Sequence, residues 1–212
     1  LPIIRVRATG EQPAEPIFWL SGGPGSSNMV VGGLEVLLDR HDVVMVGYRG
    51  VDGSVVLDCP EVARVLKNTG GNLVSEASLI RYGRALARCA ESFQADGVDI
   101  SGYNVLEVVE DMESARVALG YGRINFLSAS YGTRLAQYYA YMYPDSLFRS
   151  AQVAVNPPGH FLWEPDVLDE LIEADAALCA QDPNCSKRTN DLAKTVRSVY
   201  QNMPSRWLFL PI

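Results

Sequence analysis

Over its first 155 residues the chain alternates short apolar runs with longer stretches of helical periodicity, and that alternation leaves few folds open. Single strands separated by helices pair most readily in parallel, which points to a mostly parallel sheet covered by helices on both faces. Residues 3–7 read as a strand end and 10–16 as a turn. Residues 17–20, 42–46, 124–127 and 151–155 read as short strands. Between them, residues 76–93 place Leu79, Tyr82, Leu86, Cys89 and Phe93 at spacings of three and four, which predicts an amphipathic helix with Arg81, Arg84 and Arg88 toward water. Asn104 and Glu107 form an N-x-x-E capping pattern ahead of Val108, Met112, Ala115 and Leu119, and Gly120 stops that helix. A further helix over 131–143 carries Gly132, Ala136 and Ala140 four residues apart, a small-residue face suited to close approach.

The alternation ends at Asn156-Pro157-Pro158-Gly159, and residues 165–203 show only helical patterns and loops. The expected organisation is an α/β core over 1–158, a helical insertion over 159–206, and at 207–212 the start of a returning core strand. Apolar residues make up 48% of the chain and charged residues 20%, with no apolar run near the ~18 residues of a membrane span, so a soluble globular protein is expected. A formal charge of −7 offers nucleic acid or an acidic membrane surface nothing to neutralise. The chain opens at Leu1 without the pattern of a secretory leader, which suggests trimming. Four cysteines, Cys59, Cys89, Cys179 and Cys185, fit two disulfides in a secreted or periplasmic protein, or alternatively four buried thiols in a cytoplasmic one. Neither His41 nor His160 stands at metal-ligand spacing from them, so no metal and no cofactor is expected.

The chemistry concentrates in Ile124-Asn125-Phe126-Leu127-Ser128-Ala129-Ser130-Tyr131-Gly132-Thr133, where a buried strand turns into a helix with a serine at the corner. Such a nucleophile elbow holds its serine in a strained conformation with the hydroxyl exposed, and small residues two positions to either side let neighbouring chains approach. Gly132 meets that need; Ser128 stands where glycine is usual, so the strict G-x-S-x-G pattern is not satisfied. The competing reading makes Ser130 an ordinary helix N-cap. A second feature favours the elbow. Acyl transfer needs two amide donors for the developing oxyanion, and the loop Ser21-Gly22-Gly23-Pro24-Gly25-Ser26-Ser27 follows an earlier strand, so that Gly22 or Gly23 can act with the Tyr131 amide. That loop has neither the lysine of a P-loop nor a G-x-G-x-x-G pattern, which argues against nucleotide binding.

The run from Gly22 to Ser27, then Gly47-Tyr48-Arg49-Gly50-Val51-Asp52-Gly53-Ser54, Cys59-Pro60-Glu61, the stretch from Asp111 to Tyr121, and Ser130-Tyr131-Gly132-Thr133 resemble the tripeptidyl aminopeptidase and proline iminopeptidase group of α/β-hydrolases in order and spacing. The resemblance implies an α/β-hydrolase core with a helical cap, Ser130 as nucleophile, Gly22 or Gly23 with Tyr131 as oxyanion hole, and disulfides Cys59–Cys89 and Cys179–Cys185. It also implies a peptide substrate, an ester substrate being the alternative. Ser21 replaces the histidine that usually opens the glycine-rich motif, and Tyr48 stands where glutamine is common. The triad acid and histidine of this fold follow the serine on late strands, which are missing here, so the expectation is an amino-terminal part whose partner is the carboxyl-terminal remainder of the same protein. His41 opens a strand at the end remote from the serine and reads as structural. His160 lies on the correct side but enters the insertion with no carboxylate to orient it. The functional expectation is a serine hydrolase, an aminopeptidase first, with an esterase or a non-catalytic binding protein of the same fold as alternatives.

Overall fold

The computed structural model describes residues 1–30, 32–67, 75–159, 165–202, 206–207 and 210–211. The chain divides into two units, residues 1–160 and 161–212. In the first, five strands pair in the order β1-β3-β2-β4-β5: β1 (Ile3–Val6), β2 (Ala14–Leu20), β3 (His41–Val46), β4 (Ile124–Ala129) and β5 (Leu147–Val153). Only β1 runs antiparallel to its neighbour; the other pairings are parallel. The segment 10–16, expected as a turn, already enters β2 at Ala14, with a register shift between Ala14 and Ile17. Pro16, which has no N–H to donate, falls inside that shift. Likewise β5 runs over 147–153 rather than 151–155, so that Val155 lies beyond the strand.

The helices are α1 (Pro60–Lys67), α2 (Glu76–Ala95), α3 (Val105–Ala118) and α4 (Tyr131–Met142). Local chemistry sets the ends of α3: the Asn104 side chain accepts from the Leu106 and Glu107 amides, at 2.9 and 3.1 Å. At its other end Gly120 adopts φ +75, and the amides of Gly120 and Tyr121 return to the carbonyls of Val117 and Arg116, closing a Schellman motif. Val108, Val109, Met112 and Ala115 of α3 and Leu135, Ala136 and Tyr139 of α4 are buried with Phe18, Leu20, Val44, Val46, Ile124 and Phe126 of the sheet in one core. The half-buried polar link between these helices is Glu113, which accepts from Nε and Nη2 of Arg116 (2.8 and 2.6 Å) and from the Tyr139 hydroxyl (2.6 Å). Hydrogen bonding by Arg116, then by Tyr139, holds the Glu113 carboxyl below its ordinary 4.5 against the opposing effect of burial.

Helix α2 buries Cys89, half-buries Tyr82 and Phe93 and leaves Arg81, Arg84 and Arg88 exposed as its spacing predicts, but its inward face is rotated away from the leucines. Leu79 and Leu86 are exposed, whereas Ser78, Ala85 and Cys89 are buried. Cys89 is bonded to Cys59 just before α1, and α1 packs on α2, so the small side chains rather than the leucines face the close neighbour. The second unit holds α5 (Pro165–Gln181), the short α6 (Pro183–Ser186) and α7 (Leu192–Gln201), with a Cys179–Cys185 disulfide joining α5 to α6. Asp182 caps α6 and Asp191 caps α7 through their side chains. Where the sequence suggests the start of one strand at 207–212, two short strands, β6 (Arg206–Trp207) and β7 (Leu210–Pro211), pair antiparallel. Among the described residues no helix is long and apolar enough to cross a membrane. Two disulfides are the pattern of a protein matured in an oxidising compartment, extracellular or periplasmic.

Candidate active site

Strand β4 ends at Ala129 and α4 begins at Tyr131, leaving Ser130 alone at the corner. Its backbone has φ 48 and ψ −118, a region that non-glycine residues rarely enter and that costs about 1–3 kcal/mol. Three contacts hold it there. The Ser130 amide donates to the Val153 carbonyl at 2.9 Å, and the Thr133 hydroxyl donates to the Ser130 carbonyl at 2.6 Å while accepting from the Asn156 amide at 2.8 Å. Arg134 extends this brace, donating to the Asn156 side chain at 2.8 Å. The residue is exposed, and its side chain makes no capping bond to α4. The N-cap reading therefore does not describe this serine. Its hydroxyl stands free at a helix amino terminus, beside first-turn amides that lack intrahelical partners and a dipole that favours negative charge.

The residues two positions away behave as such a corner requires. A Cβ at Gly132 would strike the carbonyl oxygens of Leu20 and Ser21, so only glycine lets α4 lie against the end of β2. Ser128 is fully buried and its hydroxyl donates to the Ala151 carbonyl of β5 at 3.2 Å. Serine thus fits where glycine is usual because its one polar atom finds a strand carbonyl.

The glycine-rich loop lies beside the elbow. A Cβ at Gly22 would come within 2.8 Å of the Ser130 Cβ and 3.4 Å of its Oγ, whereas one at Gly23 would meet only Ser26 of its own loop. Gly22 is therefore the glycine adjoining Ser130. Gly23, at φ +76, makes the turn that brings the Ser26 amide back to its carbonyl at 2.9 Å.

Sequence reasoning missed the residues that fix this loop. Asn28 is fully buried; its side chain accepts from the Ser21 amide at 2.8 Å and donates to the carbonyls of Trp19 and Val46 at 3.1 and 2.8 Å. Asp52 accepts from the amides of Asn28 and Tyr48, both at 2.9 Å, tying the loop after β2 to the loop after β3. Tyr48, in the place where glutamine is common, donates its hydroxyl to the Ser21 carbonyl at 3.1 Å and packs edge-on to Tyr131 at 6.1 Å. Burial pushes the phenols of Tyr48 and Tyr131 upward, so neither ionises near neutrality. Arg49 braces the loop after β3, with a two-pronged pair to Asp111 at 2.7 Å and a further bond to Glu107 at 3.1 Å. Its guanidinium is held above its ordinary value chiefly by Asp111. Glu107 thus turns to Arg49 while Asn104 caps α3.

Of the two histidines, His41 sits at the start of β3, its Nδ1 2.7 Å from the Glu15 carbonyl, at the end of the sheet opposite Ser130. His160 lies outside the described residues. Of the acidic side chains in the second unit, Asp169 and Glu173 pair with Arg197 at 3.0 and 2.7 Å, and Glu164 lies outside the described residues. Among the described residues, no cluster of three His, Cys, Asp or Glu is arranged to hold a metal ion.

A family model for the alpha/beta hydrolase fold matches residues 15–184. Tripeptidyl aminopeptidases of Streptomyces lividans and Streptomyces coelicolor are each 29% identical over 185 residues, covering 80% of this chain and 34% of their own length. The chain thus spans about a third of the length of these curated relatives. Among solved structures, proline iminopeptidase of Mycobacterium smegmatis is similar with a TM-score of 0.47 and 17% identity, covering 94% of this chain and 52% of that one. A marine microorganism esterase gives 0.45 and 13%, covering 96% and 64%.

Proposed function

The chain belongs to the α/β-hydrolase fold family, and from that premise we propose that it carries the nucleophile and oxyanion hole of a serine hydrolase, an aminopeptidase first of all. The observation that carries this reading is the state of Ser130: exposed, strained, uncapped, and flanked by Gly22. In the proposed mechanism the Ser130 Oγ attacks a carbonyl carbon as its proton passes to a base. The oxyanion is met by the Tyr131 amide and by an amide of the Gly22-Gly23 turn, the leaving amine or alcohol departs with a proton, and water hydrolyses the acyl-enzyme. The bracing by Asn28, Asp52 and Tyr48 supports this role, because donors aimed in advance cost no reorganisation when charge develops.

Base and acid belong, on this reading, to the remainder of the same protein. His41 is remote from Ser130, and the relatives extend over about two-thirds more of their own length than this chain covers. The helices of 165–202 belong to a cap, within which a free substrate amino group would be recognised by carboxylates. Asp166 and Glu170 are the better candidates, since Arg197 already engages Asp169 and Glu173. The peptidase reading rests on the relatives' names and on the sequence resemblance.

The test is active-site labelling of the complete gene product with a small fluorophosphonate. Labelling is expected in the wild type and in Ser128→Ala, and is expected to vanish in Ser130→Ala. Labelling that survives Ser130→Ala would overturn the assignment, and a wild type that never labels would favour a non-catalytic binding protein. Hydrolysis of amino-terminal peptide amides in preference to simple esters separates the aminopeptidase from an esterase. The 212-residue chain alone should turn over substrate several orders of magnitude more slowly than the complete protein, the usual consequence of lacking triad members.

A further inference from the structure

Beside the elbow lies a second feature to which the mechanism gives no work. A recess of about 170 Å³ opens among Gly25, Tyr48, Val51, Tyr103, Val105 and Tyr131. It sits just beyond the carboxyl ends of β2 and β3, the side of an open α/β sheet on which ligands are bound. One wall, Tyr131, also belongs to the proposed oxyanion hole, and a second, Gly25, belongs to the loop that supplies its other amide. Tyr131 follows Ser130 directly, and Gly25 is three residues from Gly22 in the same loop. The recess therefore lies beside the place where a carbonyl would be held between those amides.

The chemistry of the recess is narrow. Its lining is chiefly aromatic rings and valines. The one charged wall group, Arg49, is already matched by Asp111 and Glu107, so the recess offers neither a cation nor an anion a new partner. The volume is below the roughly 300–1,000 Å³ of a whole-ligand site, which suits one side chain rather than an entire substrate. The walls are also fixed. The Tyr48 hydroxyl is bonded to Ser21, its ring meets Tyr131 edge-on, and the Tyr103 ring lies so close over Gly50 that a Cβ there would come within 3.0 Å of it. Gly25, by contrast, is exposed, and a Cβ on it would meet nothing within 4 Å, which leaves that side of the recess open.

We propose that this recess is a specificity subsite for an uncharged apolar side chain on the acyl portion of the substrate, with Tyr103 and Val105 setting the size it accepts. The proposal rests on the serine-hydrolase reading, and the experiment separates the two. In the complete protein, kcat/KM is measured for 4-nitrophenyl esters of acetic, butanoic, hexanoic and 3-phenylpropanoic acid, alongside fluorophosphonate labelling. Wild type should prefer the larger acyl groups. Val105→Trp, which fills the recess, should lower kcat/KM for the larger esters about tenfold or more relative to acetate, through KM. Tyr103→Ala, which widens it, should move the preference toward 3-phenylpropanoate. A series that varies only the leaving alcohol should respond equally in all three proteins. Intact labelling with an unaltered acyl profile in both variants overturns the subsite alone. A wild type that never labels overturns the Ser130 reading and the subsite with it.

Discussion

The loops at the carboxyl end of the sheet and the helices of residues 165–202 are stabilised by different means. In the loops, irregular backbone is held by buried and half-buried polar side chains. Asn28 alone satisfies three main-chain groups from two segments, and Asp52 and Arg49 bind across gaps of 24 and 62 residues. In the helices, Cys179 and Ala193 are the buried hydrophobics among the described residues, while Leu168, Leu171, Leu178, Val199 and Tyr200 are exposed. What orders them lies at the surface or close in sequence: side-chain caps, a disulfide closing six residues, and exposed ion pairs between α5 and α7. The difference teaches where precise chemistry can be supported. A donor must be held to a fraction of an ångström, and buried polar networks do that whereas exposed ion pairs do not.

Two substitutions probe this contrast from either side and a third, in the α3–α4 link, sets the scale between them, in order of decreasing effect. Asn28→Ala should destabilise by about 3 kcal/mol, because it strands the Ser21 amide and the carbonyls of Trp19 and Val46 in a buried site. Denaturant unfolding measures it, and labelling of the complete protein at Ser130 should slow in parallel; a cost near zero would mean that the loop is held by other contacts. Glu113→Gln should cost about 2 kcal/mol at neutral pH, the scale of hydrogen bonds to a charged group. Since the folded carboxyl titrates below its ordinary 4.5, that contribution is present in full above this value and is lost as pH falls through the folded pKa. Unfolding of wild type and variant should therefore converge in acid, and a gap that stays constant with pH would assign the effect to packing. Arg197→Ala, which removes exposed pairs with Asp169 and Glu173, should leave the unfolding midpoint unchanged within error. A large shift there would erase the distinction between the two regions.

The two serines of the elbow show how far sequence reasoning reaches. Both were visible as small polar residues at a strand-to-helix junction, and the pattern picked out Ser130 because one position alone can occupy the corner. That Ser128 substitutes for glycine by bonding Ala151 was not legible, since the partner lies on a strand 23 residues away whose register the sequence does not display. Helix α2 shows the same limit: its periodicity announced a helix, yet the inward face followed the Cys59 bond and the closeness of α1 rather than the leucines. Asn28 carried no signal at all, because a buried asparagine in a loop of serines and glycines looks like an ordinary turn residue.

By itself, then, the sequence determined what depends on near neighbours: strands and helices in alternation, the Asn104 cap and Gly120 stop of α3, and a serine at a sharp corner. Those features follow from the backbone preferences and hydrogen bonds of a few consecutive residues. Tertiary structure alone decided that Gly22 meets Ser130, that Arg49 reaches Asp111, and that Asn28 joins the ends of β2 and β3. Such contacts arise from strand register and close packing between distant segments, and no local preference encodes which distant group arrives.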